Sequence, residues 1–145
     1  MSTMTTQTTQ VYSVFIRATP EQVWDAITKA EFTQQYFYGA RVEVRDGRRF
    51  SSIGETEWDE EVLEADPPRK LVHGWLSAYD PDLAAEDRSR VTWEIEPQDG
   101  GVTKLTVVHD QLEGAPKTAE SVAGGWMFVL SGLKTLLETG KPLGG

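Results

Sequence analysis

The chain has 145 residues, 39% of them apolar and 26% charged, the size and balance of one soluble globular domain. Its 23 acidic residues against 14 basic ones give a net charge of −9, which argues against nucleic acid and against an anionic membrane surface, because both call for clustered Lys and Arg. The absence of cysteine excludes disulfides, a thiol nucleophile and thiolate metal sites, and fits a reducing, cytoplasmic location.

The opening MSTMTTQTTQ has neither the basic n-region nor the apolar h-region of a secretory signal. It reads as a disordered lead-in over residues 1–10, with a single domain expected over residues 11–141. VYSVFIRA, Val11 to Ala18, reads as a strand with Tyr12, Val14, Ile16 and Ala18 on one face. In TPEQVWDAI, Thr19 caps a helix, Pro20 suits its first position and Gln22 completes a capping box. That helix buries Val23 and Ile27, with Trp24 at its margin. EFTQQYFY, Glu31 to Tyr38, predicts a second short helix with Phe32, Tyr36 and Phe37 as its apolar positions, stopped by Gly39.

Beyond Gly39 the period changes to two. ARVEVRDG ends in Asp46-Gly47, a strong hairpin signal, and RRFSSIG is its short partner. ETEWDEEVLEAD, Glu55 to Asp66, is a longer strand and the densest acidic run. Its ordinary reading is a solvated strand face, and a cation-binding face is the sharper alternative. RKLVHGWLSA follows as a strand with Leu71, His73 and Trp75 on one side. YDPDLAAEDRS reads as a loop. Asp80 and Asp82 give it a superficial likeness to a calcium loop, but Ala85 stands where Gly is required and Val91 where the closing Glu belongs. RVTWEIEP, a QDGG turn and VTKLTVVHDQL form a hairpin, with Val91, Trp93 and Ile95 on one face of the first strand and Leu105, Val107 and His109 on one face of the second. A helix is expected from about Thr118 to Thr139, stopped by Gly140 with Pro142 beyond.

The order is one strand, two short helices, about six strands and a long helix. Consecutive hairpins make the sheet antiparallel, and the last helix, roughly 30 Å long, is the only element large enough to cover its face. The fold class is therefore α+β. On that helix Val122, Trp126, Val129, Leu130, Leu133, Leu136 and Leu137 fall in one stripe, as a core-facing helix requires. Two features depart from plain core packing. Gly124, Gly125 and Gly132 sit inside the helix, each costing up to about 1 kcal/mol against Ala, and Phe128 lies off the stripe, facing the sheet rim or a second subunit.

Several segments, in order, resemble a known family. TPEQVWDAITKAEFTQQYF, VLEADPPRKLVHGW, VTWEIEP with GGVTKLTVVHDQL, and GGWMFVLSGLKTLLE are similar to the Aha-type branch, named for the activator of heat-shock protein 90 ATPase, of the START-like or SRPBCC superfamily. The resemblance covers about residues 10–140. It implies a helix-grip fold, with a curved antiparallel sheet of about six to seven strands wrapped on the long C-terminal helix. The superfamily includes the birch pollen allergens and polyketide cyclases, so one scaffold hosts many activities. His109 in VVHD matches a His common in the family. Where many members of the branch carry a further His ahead of the helix Gly-Trp pair, this chain has Val122.

Catalytic motifs are sparse. There is no Gly-x-Ser-x-Gly elbow, no phosphate-cradling glycine loop, and no metal-ligand spacing between His73 and His109. No metal and no cofactor are expected. The candidates for a general acid or base are His109, His73, Glu60 and Tyr36. The candidates for lining an apolar ligand cavity are Phe32, Tyr36, Phe37, Trp58, Trp75, Trp93, Trp126, Leu130 and Leu133. Three functions follow. The first is a module that binds a small apolar or amphipathic molecule between sheet and helix. The second is a chaperone-linked interaction domain with an exposed apolar patch at Phe128 or Met127, a homodimer being one form of it. The third is a polyketide cyclase-like or hydratase-like enzyme acting on a polyketide-like substrate.

Overall fold

A computed structural model describes residues 8–144. Residues 1–7 of the expected lead-in lie outside the described residues. Gln10, also assigned to the lead-in, already belongs to the first strand, where its buried side chain donates from Nε2 to the Ala119 carbonyl at 2.9 Å.

The strands are β1 (Gln10–Ile16), β2 (Arg41–Arg45), β3 (Arg48–Ile53), β4 (Thr56–Asp66), β5 (Lys70–Trp75), β6 (Ser89–Pro97) and β7 (Thr103–Asp110). They form one seven-stranded sheet in the order β1-β7-β6-β5-β4-β3-β2, antiparallel at each pairing. Two short helices, α1 (Pro20–Thr28) and α2 (Ala30–Tyr36), follow β1, and the long α4 (Pro116–Thr139) closes the chain. This is the α+β helix-grip arrangement. A one-turn helix, α3 (Pro81–Ala84), occupies the segment expected to be a loop. Asp80 explains it: its carboxylate accepts from the backbone N–H groups of Asp82 and Leu83, and Pro81 supplies the fixed φ of a first helical position.

Local chemistry sets the boundaries. Thr19 and Gln22 form the reciprocal capping box at α1. The α2 helix ends at Tyr36 rather than Tyr38, because Tyr38 and Gly39 both turn to positive φ, 53° and 78°. That double left-handed turn swings Phe37 and Tyr38 out of the helix and toward α4. Asp46 and Gly47, at φ 53° and 74°, make the tight hairpin between β2 and β3.

The core lies between the sheet's concave face and α4. Ile16, Leu71, Val91, Trp93, Ile95, Leu105 and Val107 from the strands meet Trp126, Val129, Leu130, Leu133 and Leu136 from the helix. Leu137 is only partly buried, at the edge of the same stripe. Gly132 has a packing reason: a Cβ there would meet Tyr36 Cβ at 3.1 Å, so α2 and α4 touch where the glycine lets them. No such neighbour faces Gly124. No described helix is long and apolar enough to cross a membrane.

The sheet is bent by β4. Its register pairs Val62 with His73 and then Ala65 with Leu71, leaving an extra residue between Val62 and Glu64. This bulge breaks the strand's alternation: Trp58, Glu60 and Val62 share one side before it, and beyond it Ala65 rather than Glu64 stands opposite Leu71. Trp58 and Glu60 therefore point to the concave side at the end of the sheet where β2, β3 and β4 curl away from the core.

Candidate functional site

Where the sheet curls away, the sheet and α4 enclose a pocket of about 390 Å³. Val42, Arg49, Ser51, Ile53, Trp58 and Glu60 line it from β2, β3 and β4, Trp75 and Leu76 from the end of β5, and Val122, Gly125, Trp126 and Val129 from α4. Phe37 and Tyr38 close one side and Tyr79 the other. Tyr38 and Tyr79 are exposed, which places them at the mouth. Tyr38 stacks on Phe128 of α4 at 5.3 Å between ring centroids, and Tyr79 leans on Trp58 at 6.1 Å. Deeper in, Phe37, Trp75 and Trp126 contact one another at 5.5 to 6.2 Å. Gly125 faces this space with nothing nearer to an added Cβ than the Tyr38 hydroxyl at 3.8 Å.

One ion pair stands in this apolar wall. Arg49 and Glu60 sit opposite each other in the β3–β4 register. Arg49 Nη1 donates to Glu60 Oε1 at 2.8 Å, and both side chains are almost wholly buried. The second carboxylate oxygen accepts from the Leu76 backbone N–H at 2.9 Å. The guanidinium lies over the rings of Trp75 at 5.3 Å and Phe37 at 5.6 Å. Carboxylate, backbone donor and aromatic faces together hold the pair where an isolated charge would be very costly.

The two histidines lie elsewhere. Both flank Val91 of β6, His73 from β5 and His109 from β7, and both are completely buried. His73 Nδ1 is 2.7 Å from the Gly74 carbonyl, to which it must donate, so its Nε2 accepts from Trp93 Nε1 at 2.9 Å. His109 Nδ1 accepts from Trp126 Nε1 at 3.0 Å, so its Nε2 donates to Ser89 Oγ at 2.7 Å. Each ring is a neutral tautomer with both nitrogens engaged. Burial pulls the His109 pKa down to about 4, with Asp110 opposing the shift. Burial, then the charge of Arg49, holds His73 well below the ordinary histidine range. Tyr36 donates its hydroxyl to the Ala26 carbonyl at 2.7 Å, and burial raises its pKa above the usual phenolic value. Of the four acid–base candidates only Glu60 lines the pocket.

The predicted wall residues divide in the same way. Phe37, Trp58, Trp75 and Trp126 line the pocket, whereas Tyr36, Trp93, Leu130 and Leu133 pack in the core beside it, and Phe32 packs against that core from α2. Arg49, Ser51 and Ile53 were missed by the sequence reading. Their period of two in RRFSSIG was the available signal, since it sets these three on one strand face. Among the described residues, no group of three or more His, Asp or Glu is placed to hold a metal ion.

The family model described as "Activator of Hsp90 ATPase homolog 1-like protein" matches residues 17–138. No curated protein matches the chain. Among solved structures, protein MLL2253 from Mesorhizobium loti is 25% identical with a TM-score of 0.72, over 90% of this chain and 96% of that one. The Aha1 dimer from Colwellia psychrerythraea is 14% identical with a TM-score of 0.73, over 93% and 99%. DynU16, a protein of the dynemicin biosynthetic locus, is 22% identical with a TM-score of 0.72, over 94% of this chain and 49% of that one.

Proposed function

Because the chain belongs to the family of Activator of Hsp90 ATPase homolog 1-like proteins, we propose that it uses this scaffold as a binding domain, enclosing one small apolar or amphipathic molecule between the sheet and α4. The observation that carries this reading is the pocket of about 390 Å³, walled by aromatic rings around a single buried ion pair. Its volume falls in the range of small-molecule sites. A packed sheet–helix junction would need neither the open space beside Gly125 nor an arginine inside it. The location of DynU16 in a biosynthetic locus is in keeping with a small organic ligand.

Native mass spectrometry of the purified protein, followed by solvent extraction, tests the proposal. A bound or rebindable molecule is expected in the wild type. Gly125→Leu puts a branched side chain into the pocket and is expected to abolish retention while the far-ultraviolet spectrum stays native. Equal retention by both proteins would move any bound molecule out of this pocket and sink the reading.

A second reading, an interaction surface, is favoured by one observation. Met127 and Phe128 stand exposed on the outer side of α4, with exposed Tyr38 stacked on Phe128. Under that reading the patch meets a second copy of the chain or a chaperone partner. Sedimentation of wild type against Phe128→Asp would show it as a dimer–monomer difference, and direct binding to a chaperone middle domain would show the other.

A further inference from the structure

The polar groups of the pocket wall are unevenly used by the protein. Ser51 Oγ and Trp58 Nε1 are buried and have no hydrogen-bond partner among the described residues. Ser51 itself is 5% exposed. The two residues face each other across the β3–β4 register, two rungs from the Arg49–Glu60 pair and on the same side of the sheet. Two residues along a strand is about 7 Å, so all four side chains share one small area of the concave wall. Arg49 spends Nη1 on Glu60, and its other N–H groups make no hydrogen bond to the described residues. The carboxylate of Glu60, in contrast, has both oxygens engaged.

Trp58 Nε1 and the unused N–H groups of Arg49 can only donate, and the Ser51 hydroxyl can donate or accept, so the unused groups of this area favour an incoming acceptor. A buried donor without a partner costs about 1–3 kcal/mol, so two of them on one rung of a pocket wall, beside a half-used guanidinium, point to a ligand atom that accepts. Its charge is constrained as well. Glu60 already neutralises Arg49, and a second buried carboxylate would have no counter-charge. A cationic ligand would face indole and guanidinium N–H groups. The remaining walls are the faces and edges of Phe37, Trp75, Trp126 and Tyr79, which suit a flat ring system.

From this we infer that the pocket takes an uncharged, ring-bearing molecule with a carbonyl oxygen, and that this oxygen is received by Trp58, Ser51 and Arg49. The inference rests on the reading of the pocket as a ligand site and deepens it by naming the chemical class. The ring lies among the aromatic walls while the carbonyl accepts from Trp58 Nε1 and the Ser51 hydroxyl, with Arg49 Nη2 or Nε as the third donor. Trp58 and Ser51 are specificity-determining residues in this arrangement, and Glu60 is a positioning residue that fixes the guanidinium.

Three probes of matched shape separate the outcomes: 9-fluorenone, which has the carbonyl, fluorene, which lacks it, and fluorene-9-carboxylate, which is anionic. Their affinities for the full chain are measured by equilibrium dialysis. Fluorenone is expected to bind about tenfold more tightly than fluorene, the equivalent of one well-made hydrogen bond to a buried donor, and more tightly than the carboxylate. In Ser51→Ala/Trp58→Phe, which removes both unpartnered atoms and keeps the wall apolar, the preference for fluorenone over fluorene should fall toward unity while fluorene binds as before. Equal affinity for fluorene and fluorenone, or tightest binding of the carboxylate, would overturn the inference and leave the pocket a ligand site. A preference that survives the double substitution would overturn the assignment to Ser51 and Trp58. Failure of all three probes to bind would overturn the ligand site itself.

Discussion

His109 accepts a hydrogen bond from Trp126, and His73 accepts one from Trp93, so a proton on the accepting nitrogen of either ring would set N–H against N–H in a dry interior. That conflict makes both groups acid-sensitive. The folded His109 pKa, about 4, lies below the ordinary value near 6.5, so the unfolded chain binds more protons between those two values. Its stabilising contribution is complete above about pH 6.5 and is lost progressively as pH falls toward and through about 4, and at 1.36 kcal/mol per pH unit the loss reaches roughly 3 kcal/mol. His73 adds to the loss in the same direction. Denaturant titrations at pH 7 and pH 5 should show it, and His109→Gln should flatten the difference while lowering stability at pH 7. Arg49 and Glu60 lead to a separate expectation. Arg49→Ala strands a buried carboxylate and should cost about 3–5 kcal/mol, whereas Arg49→Met with Glu60→Gln should recover most of that. A double-mutant cycle of chemical denaturation measures the coupling. Sequence alone exposed little of this. His73, His109 and Glu60 were visible as candidates, but a histidine on a strand reads the same whether it faces a ligand or an indole N–H. Only the β5–β6–β7 register distinguishes the two.

At the scale of elements, α4 carries three glycines with different consequences. Gly124 faces open space and Gly132 faces Tyr36 at 3.1 Å. Gly124→Ala should therefore gain most of the helix-propensity difference, about 0.5–1 kcal/mol, and raise the melting temperature by a few degrees. Gly132→Ala should gain less or lose stability, because Tyr36 and α2 must shift to admit the methyl group. Differential scanning calorimetry of the two variants decides between these outcomes. The strands and the stripe of α4 were legible because periods of two and 3.6 are written directly in residue order. So were the capping box of Thr19 and Gln22 and the Asp46-Gly47 turn, which are purely local. The end of α2 and the turn of α3 were not. One depends on a left-handed Tyr38, an unusual choice for a bulky residue, and the other on a single Asp80 carboxylate. The bulge in β4 hid the most: with one extra residue after Val62, no constant parity describes which side of that strand faces inward.

At the scale of the whole molecule, the excess of acidic residues is an outer property, while the pocket holds a balanced pair of charges. With a sequence isoelectric point near 4.7, net charge vanishes within the pH range in which His109 loses its contribution. Loss of repulsion and loss of stability therefore coincide, and acidification toward pH 5 should bring aggregation as well as unfolding. Light scattering recorded alongside circular dichroism would register both, and a protein that stays clear and folded at pH 4.7 would contradict the coincidence. The indoles of Trp75, Trp93 and Trp126 have a further consequence. Trp126 comes from α4 and the other two from the sheet, with ring centroids 5.5 and 5.4 Å from it. Chromophores this close and tilted share their excited states, so their far-ultraviolet circular dichroism should show a paired positive and negative band. Since one of the three belongs to the helix and two to the sheet, that couplet exists only while the helix is seated. Lifting α4 without melting it would erase the couplet and spare the helical signal, so the junction reports its own state through light, without any label.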